Sequence, residues 1–145
     1  MREERLGVAG IADVDYALPQ GVRRTLDWAA EYPDWPAEKI VDKLGIDQVH
    51  AAAEGECASD LAVAAAEKLF ASGRADREAI DYLILLTQTP DYILPTTACL
   101  LQARLGLSHD IGALDINLGC SGYVCGLGLA QGLIATGQAS NVLLL

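Results

Sequence analysis

The chain has 145 residues, of which 52% are hydrophobic, and it carries 20 acidic residues against 10 basic ones. This length and composition suit one well-buried domain and exclude disorder, and the charge balance argues against nucleic acid and membranes as partners. The four cysteines form no Cys-x-x-Cys pair and lie far from the two histidines, so we expect neither a metal site nor a disulfide framework. No apolar run approaches the ~18 residues of a membrane span, and residues 1–5 do not resemble a signal peptide, which predicts a cytoplasmic protein.

The first part of the chain predicts a strand followed by two helices. Apolar residues among small ones predict a strand over residues 6–16. A short helix is predicted over 21–30, because Pro33 follows it. A second helix is predicted over 36–44, because Pro36 suits a first turn and the helix is followed by a glycine.

The middle of the chain predicts a helix, a buried strand and a loop. Ser59 is the predicted N-cap of an amphipathic helix over 61–71. Residues 80–87 are almost continuously apolar, which is typical of a strand buried on both faces of a parallel or mixed sheet. The loop over 88–95 then lies at the carboxyl end of that strand, the edge at which open α/β sheets bind ligands.

The last part of the chain predicts one helix, a strand, a helix and a final strand. Thr96 or Thr97 is the predicted cap of a helix that runs to residue 105. A strand over 113–118 precedes a helix rich in small residues, and residues 141–145 read as a core strand. Strands alternate with helices, which predicts an α/β layered sheet in one domain over residues 1–145.

Cys120 lies at the junction between the strand over 113–118 and the following helix. Gly119 and Gly122 flank it and allow a sharp turn. The positive end of a helix dipole favours thiolate over thiol, and the amides of the turn can donate to an oxyanion. The stretch therefore reads as a nucleophile elbow that carries cysteine, although a buried structural cysteine is the alternative.

The other candidate residues favour structural roles. Cys99 and Cys125 are predicted to lie in the core on apolar helix faces. His50 and His109 occupy predicted loops, where solvent contact is expected rather than catalysis. Asp115 lies within the strand before Cys120 and is expected to anchor a loop by hydrogen bonds rather than to act as a base.

Glycines over 126–132 superficially match a dinucleotide-binding pattern. Such a pattern belongs in the turn after a strand, whereas these residues lie inside a predicted helix. Close packing of this helix is the preferred explanation, since glycine costs ~1 kcal/mol of helix propensity and is tolerated where elements must approach closely.

The segment Asp115-Ile-Asn-Leu-Gly-Cys-Ser-Gly-Tyr, its Gly/Ala-rich helix and the final residues 139–145 resemble the active-site region of the ketoacyl synthase III family of thiolase-fold condensing enzymes. Residues 87–106 resemble the loop and helix just upstream in that family. The resemblance covers nearly the whole chain and is strongest from residue 81 onward. It implies one half of a thiolase fold, with the small-residue helix buried between two sheets.

The resemblance implies that Cys120 takes an acyl group from a thioester of coenzyme A or of an acyl carrier protein. A carbanion from a decarboxylating malonyl thioester then attacks the acyl-enzyme, giving a 3-oxoacyl product of fatty acid or polyketide type. Leu94 matches a position that walls the acyl pocket of the partner in the family's dimers. Trp35 matches an aromatic residue that contacts the nucleotide end of coenzyme A, although the arginines expected near Gly45-Ile46 are absent. Packing of Trp28 and Trp35 against the core is the alternative.

The second half of the reaction uses a His and an Asn that lie in the family's C-terminal half, and no residue here takes those roles. Because the last residues read as a core strand, the chain is expected to be a fragment, or one of two chains, of a protein about twice as long. This chain alone could at most be acylated. We expect no cofactor. We expect the full-length chains to form a homodimer. A non-catalytic scaffold subunit of the same fold and a dinucleotide-binding module remain the alternatives.

Overall fold

A computed structural model describes residues 9–32, 34 and 36–145. The chain divides into two compact units. One unit contains residues 9–17 together with Ala58–Leu145, and the other is Leu18–Cys57. The candidate nucleophile lies in the first unit.

The smaller unit pairs two short strands with two helices. Strand β1 (Gly21–Arg24) and β2 (Gln48–Ala51) run antiparallel, and between them lie helices α1 (Thr25–Glu31) and α2 (Ala37–Leu44). The Thr25 hydroxyl donates to the Ile46 carbonyl at 2.7 Å and ties the start of α1 to the segment before β2. Gly45 ends α2 in the left-handed region, at φ 67°, as its position after the predicted helix suggested.

The larger unit contains a three-stranded parallel sheet with helices on both faces. Its elements are α3 (Ala58–Ala71), η1 (Arg77–Ala79), β3 (Tyr82–Leu86), α4 (Thr97–Arg104), β4 (Gly112–Ile116), α5 (Gly122–Ala135) and β5 (Val142–Leu144). The strand order is β4-β3-β5, and β3 pairs in parallel with both neighbours. This confirms the predicted α/β class, since each parallel step needs a crossover helix.

The central strand β3 is covered by helices on both of its faces, so the unit has three layers: helix, sheet and helix. Side chains alternate along a strand, so successive residues of β3 face opposite helix layers. Leu83 and Leu85 pack with Ala66 of α3 and Leu101 of α4. Ile84 instead packs with Leu133 of α5. The uninterrupted apolar run of β3 follows from burial on both faces.

The predicted strand over 6–16 is wrong for the residues that the structure describes. Residues 9–19 form no strand, and Ile11, Val14 and Tyr16 are 60%, 65% and 67% exposed. A cleft of about 850 Å³ lies between residues 9–17 and the elements α3, α5 and β5. Because a strand needs a neighbour for its backbone, the apolar pattern alone does not make one here.

Two other boundaries differ from the sequence prediction. Residues 21–24, predicted as the start of a helix, form β1, because they pair with β2, whose His50 was predicted to lie in a loop. Helix α3 begins at Ala58, so Ser59 lies inside the helix and is 2% exposed rather than acting as its N-cap. Its hydroxyl accepts a 2.6 Å hydrogen bond from Arg104 of α4, which replaces the predicted capping role.

Candidate active site

Cys120 lies on a short turn between β4 and α5, as predicted. The turn is held by two backbone hydrogen bonds, from the Leu118 amide to the Ile116 carbonyl at 3.0 Å and from the Gly122 amide to the Gly119 carbonyl at 2.9 Å. Cys120 is exposed, so the alternative that it is a buried structural cysteine is wrong for this structure. The thiol is therefore accessible at the carboxyl edge of a parallel sheet.

Close packing, rather than an unusual turn, requires a glycine at position 122. Neither Gly119 nor Gly122 has a positive φ. A Cβ at Gly122 would lie 2.5 Å from Cδ2 of Leu86 and 3.0 Å from Cβ of Leu118. The first turn of α5 thus lies directly on β3, which fixes where the helix begins relative to the cysteine.

Helix α5 begins two residues after Cys120. It runs for 14 residues from Gly122, and its flanking residue Ser121 makes no side-chain capping hydrogen bond. Unpaired amides at a helix start can donate to an oxyanion that forms nearby. The junction therefore has the two features that acyl transfer needs, an accessible sulfur and backbone donors beside it.

Gln88 approaches the junction from the end of β3, and the sequence reading did not single it out. Its Oε1 lies 3.0 Å from the position that a Cβ on Gly119 would take. A signal was present in the sequence, because Gln88 follows one parallel strand as Cys120 follows the next. Residues that follow neighbouring parallel strands meet at one edge.

Asp115 anchors the helix that follows the loop, as expected. Its Oδ2 accepts from the Thr97 amide at 2.9 Å and its Oδ1 accepts from the Ala98 amide at 2.7 Å. Thr96 is the N-cap residue of α4, one of the two predicted positions, but its side chain makes no capping hydrogen bond. The Thr97 hydroxyl instead bonds to the Tyr92 backbone within the loop.

Leu94 lies on the outside of the loop over 88–95. It is 83% exposed, and its neighbour Ile93 is 90% exposed. The Leu94–Pro95 peptide is cis. An exposed apolar pair on a loop tied down at both ends is available to another surface.

Trp35 lies outside the described residues, so its role stays a prediction. Trp28 lies in α1 and is 40% exposed, with the Arg23 guanidinium 6.0 Å from its ring centroid. Gly45-Ile46 lies in the same unit as Trp28.

The structure also shows where the other predicted cysteines and histidines lie. Cys99 and Cys125 are exposed, so their predicted core position is wrong in this structure, because no described element covers their faces of α4 and α5. His50 is in β2 rather than a loop, with Nδ1 2.7 Å from the Pro19 carbonyl oxygen, and His109 is exposed. The described residues hold no group of three or more His, Cys, Asp or Glu side chains placed for a metal ion.

The glycines of α5 lie in the helix interior, as predicted. A Cβ at Gly126 would lie 2.9 Å from Cδ1 of Leu144, which supports the packing explanation. Gly128 and Gly132 have nothing within 4 Å of such a Cβ. Within the described part of the chain, no helix combines the length and apolarity that crossing a membrane requires.

The layered parallel sheet and the cysteine at its strand–helix junction define a protein of thiolase-like fold. The family model of 3-oxoacyl-[acyl-carrier-protein (ACP)] synthase III matches residues 114–145, which contain the end of β4, Cys120, α5 and β5. A protein of Xylella fastidiosa named beta-ketoacyl-[acyl-carrier-protein] synthase III is 41% identical over 93% of this chain and 41% of its own length. The comparisons agree with the resemblance seen in the sequence: the chain is similar to proteins of the synthase III family over the part of their length that it spans.

Solved structures show the same similarity. A crystal structure of a 3-oxoacyl-(acyl-carrier-protein) synthase III matches with a TM-score of 0.88 and 55% identity, over 95% of this chain and 41% of the other. A 3-oxoacyl-(acyl-carrier protein) synthase from Burkholderia xenovorans also gives 0.88, with 39% identity over 96% of this chain and 40% of the other. The chain thus spans about two-fifths of the length of the relatives that it matches.

Proposed function

We propose that Cys120 is the nucleophile of a condensing acyltransferase of the synthase III type. The observation that carries the proposal is the exposed thiol at the β4–α5 junction, within the residues that the family model matches. The names of the relatives give the reaction class. The remaining steps follow from thioester chemistry.

In the first half-reaction the Cys120 thiolate attacks the carbonyl carbon of an acyl thioester. The carbonyl electrons move to oxygen, and backbone amides at the start of α5 stabilise the resulting oxyanion. When the oxyanion collapses, the carbon–sulfur bond to the donor breaks and the donor leaves as a thiolate, which takes up a proton. The acyl group is then held as a thioester on Cys120.

In the second half-reaction a malonyl thioester loses carbon dioxide and leaves a carbanion. This carbanion attacks the acyl carbon on Cys120, and the cysteine departs as a thiolate. The product is a 3-oxoacyl thioester two carbons longer than the acyl group, a precursor of fatty acid or polyketide type. Loss of carbon dioxide supplies the electron pair for the new carbon–carbon bond, so the chemistry calls for no cofactor.

Coenzyme A or an acyl carrier protein is the proposed thioester donor, and Trp35 is the proposed contact for the nucleotide end of coenzyme A. Replacing Trp35 with Ala should then raise KM for acetyl-CoA but not for acetyl-pantetheine, which lacks the nucleotide. An equal rise in KM for both donors would remove Trp35 from the coenzyme A site.

Leu94 is proposed to reach a second copy of the chain in a cytoplasmic homodimer and to wall the acyl pocket of that copy. Its exposure, with that of Ile93, supports this role. A leucine leaves more room than an aromatic ring, so in the complete enzyme Leu94→Phe should reduce turnover of longer primers more than turnover of acetyl. Equal loss with every primer would contradict the assignment.

Intact mass spectrometry tests the nucleophile directly. Incubation with a panel of acyl-CoA thioesters should add one acyl unit to the chain, and Cys120→Ala should remove that addition. Cys99→Ala is the matched control, because Cys99 is also exposed near the start of a helix. An adduct that survives Cys120→Ala and disappears in Cys99→Ala would overturn the proposal.

A further inference from the structure

The loop over 88–96 is attached at both ends to two successive residues of β4. At its beginning, the Thr87 amide donates to the Ile116 carbonyl at 3.2 Å. At its end, the amides of Thr97 and Ala98 donate to the carboxylate of Asp115. The end of β4, four to five residues before Cys120, therefore holds both ends of the loop and leads into the Cys120 junction.

The second attachment is the stronger of the two. The first amides of a helix have no partner within the helix, and a carboxylate that accepts from two of them makes charge-assisted hydrogen bonds at the positive end of the helix dipole. Thr96 does not compete for this place, since its Oγ1 is buried and has no hydrogen-bond partner among the described residues. Asp115 thus caps α4 from a neighbouring strand.

The first attachment leads directly to the cysteine. Gln88 follows Thr87, and its side chain reaches Gly119, the residue before Cys120. A shift of the loop relative to β4 therefore changes what stands beside the thiol. Asp91 adds only a long contact to the Ser59 amide, at 3.3 Å, on the side of the loop toward α3.

We propose that Asp115 is a positioning residue whose carboxylate holds the 88–96 loop in register with the Cys120 junction and so determines which acyl chains reach the thiol. This inference rests on the proposed function, in which Cys120 is acylated. Asp115 itself touches neither substrate nor sulfur in this role. It acts through the backbone of Thr97 and Ala98.

Asp81 provides a matched control within the same sheet. Its carboxylate also accepts from two consecutive amides, those of Ser140 at 2.7 Å and Asn141 at 3.0 Å. Asp81 precedes β3 and so lies at the amino edge of the sheet, opposite to Cys120. Asp81→Asn and Asp115→Asn remove the same kind of interaction at opposite ends of parallel strands.

The experiment compares the two variants with the unaltered chain. Hydrogen exchange of the peptide over 88–99 is measured together with the rates at which acetyl-CoA and hexanoyl-CoA acylate Cys120. Asp115→Asn should speed exchange in this peptide and change the ratio of the two rates about tenfold, because displacement of a reacting group by about 1 Å can cost about 10²-fold in rate. Asp81→Asn should leave both the exchange of this peptide and the ratio of the two acylation rates unchanged.

A ratio that stays constant in Asp115→Asn, or that changes equally in both variants, would overturn the inference and leave Asp115 a purely structural cap. If no thioester acylates the unaltered chain, the proposed function fails. The positioning role is then tested separately, by the rate at which iodoacetamide alkylates Cys120. The rate of Cys120 alkylation relative to Cys57 should change only in Asp115→Asn. An unchanged relative rate would reject the positioning role as well.

Discussion

Replacing Gly122 with alanine tests how closely α5 rests on the sheet beneath the cysteine. The new Cβ would lie 2.5 Å from Cδ2 of Leu86, 3.0 Å from its Cγ and 3.0 Å from Cβ of Leu118. Two of these three atoms are not free ends of flexible side chains, so the helix or the strand must move. Overpacking of this kind costs about 1–3 kcal/mol of unfolding free energy.

Gly128→Ala is the matched control on the same helix. Nothing lies within 4 Å of its Cβ position, so the substitution should stabilise the chain by up to ~1 kcal/mol through helix propensity. The two variants should therefore differ by about 1–4 kcal/mol in urea unfolding. Equal stability of the variants, or a more stable Gly122→Ala, would refute the packing of α5 on Leu86.

Two further predictions concern a helix end and an ion pair. Gly45→Ala should cost about 1–2 kcal/mol of unfolding free energy in urea, since Gly45 has a φ of 67°. Gly45→Asn should cost less, because asparagine tolerates this region. Equal losses in the two variants would contradict the backbone explanation. The Tyr16 backbone amide, and then Arg74, hold the pKa of Asp15 below its ordinary value of 3.8. Stability from the ionised carboxylate is thus complete above about pH 4 and is lost as pH falls through the lowered pKa. A carbon NMR titration should show Arg74→Ala moving the Asp15 midpoint only part of the way back to 3.8, and a midpoint at or above 3.8 in the unaltered chain would contradict this.

Sequence patterns located the elements whose signals are local. The proline and glycine around α2 and the apolar run of β3 are signals carried by a few neighbouring residues, and both predictions held. Gly122 marks the predicted start of α5, although packing on Leu86 rather than a sharp turn requires glycine there. Fold class followed from the alternation of such elements. The nucleophile candidate was found in the same way, because a strand, a turn and a helix start are contiguous in the chain.

Features that depend on distant partners could not be read in this way. Residues 21–24 have a helix-like pattern, and only their pairing with β2 makes them a strand. Thr96 looks like a cap, but a carboxylate 19 positions later takes that place. Cys99 has an apolar neighbourhood in the sequence and still lies on an uncovered face. In each case a tertiary contact, or its absence, overrides the local preference.

The central claim is that Cys120, and no other cysteine, takes the acyl group. All four cysteines are exposed, so accessibility alone would distribute a thioester among them. The most direct test is to treat the chain with acetyl-CoA and to locate the acetyl group by peptide mass spectrometry at short times. Acetylation of Cys120 well before Cys57, Cys99 and Cys125 is the predicted result, and equal acetylation of all four would contradict the account.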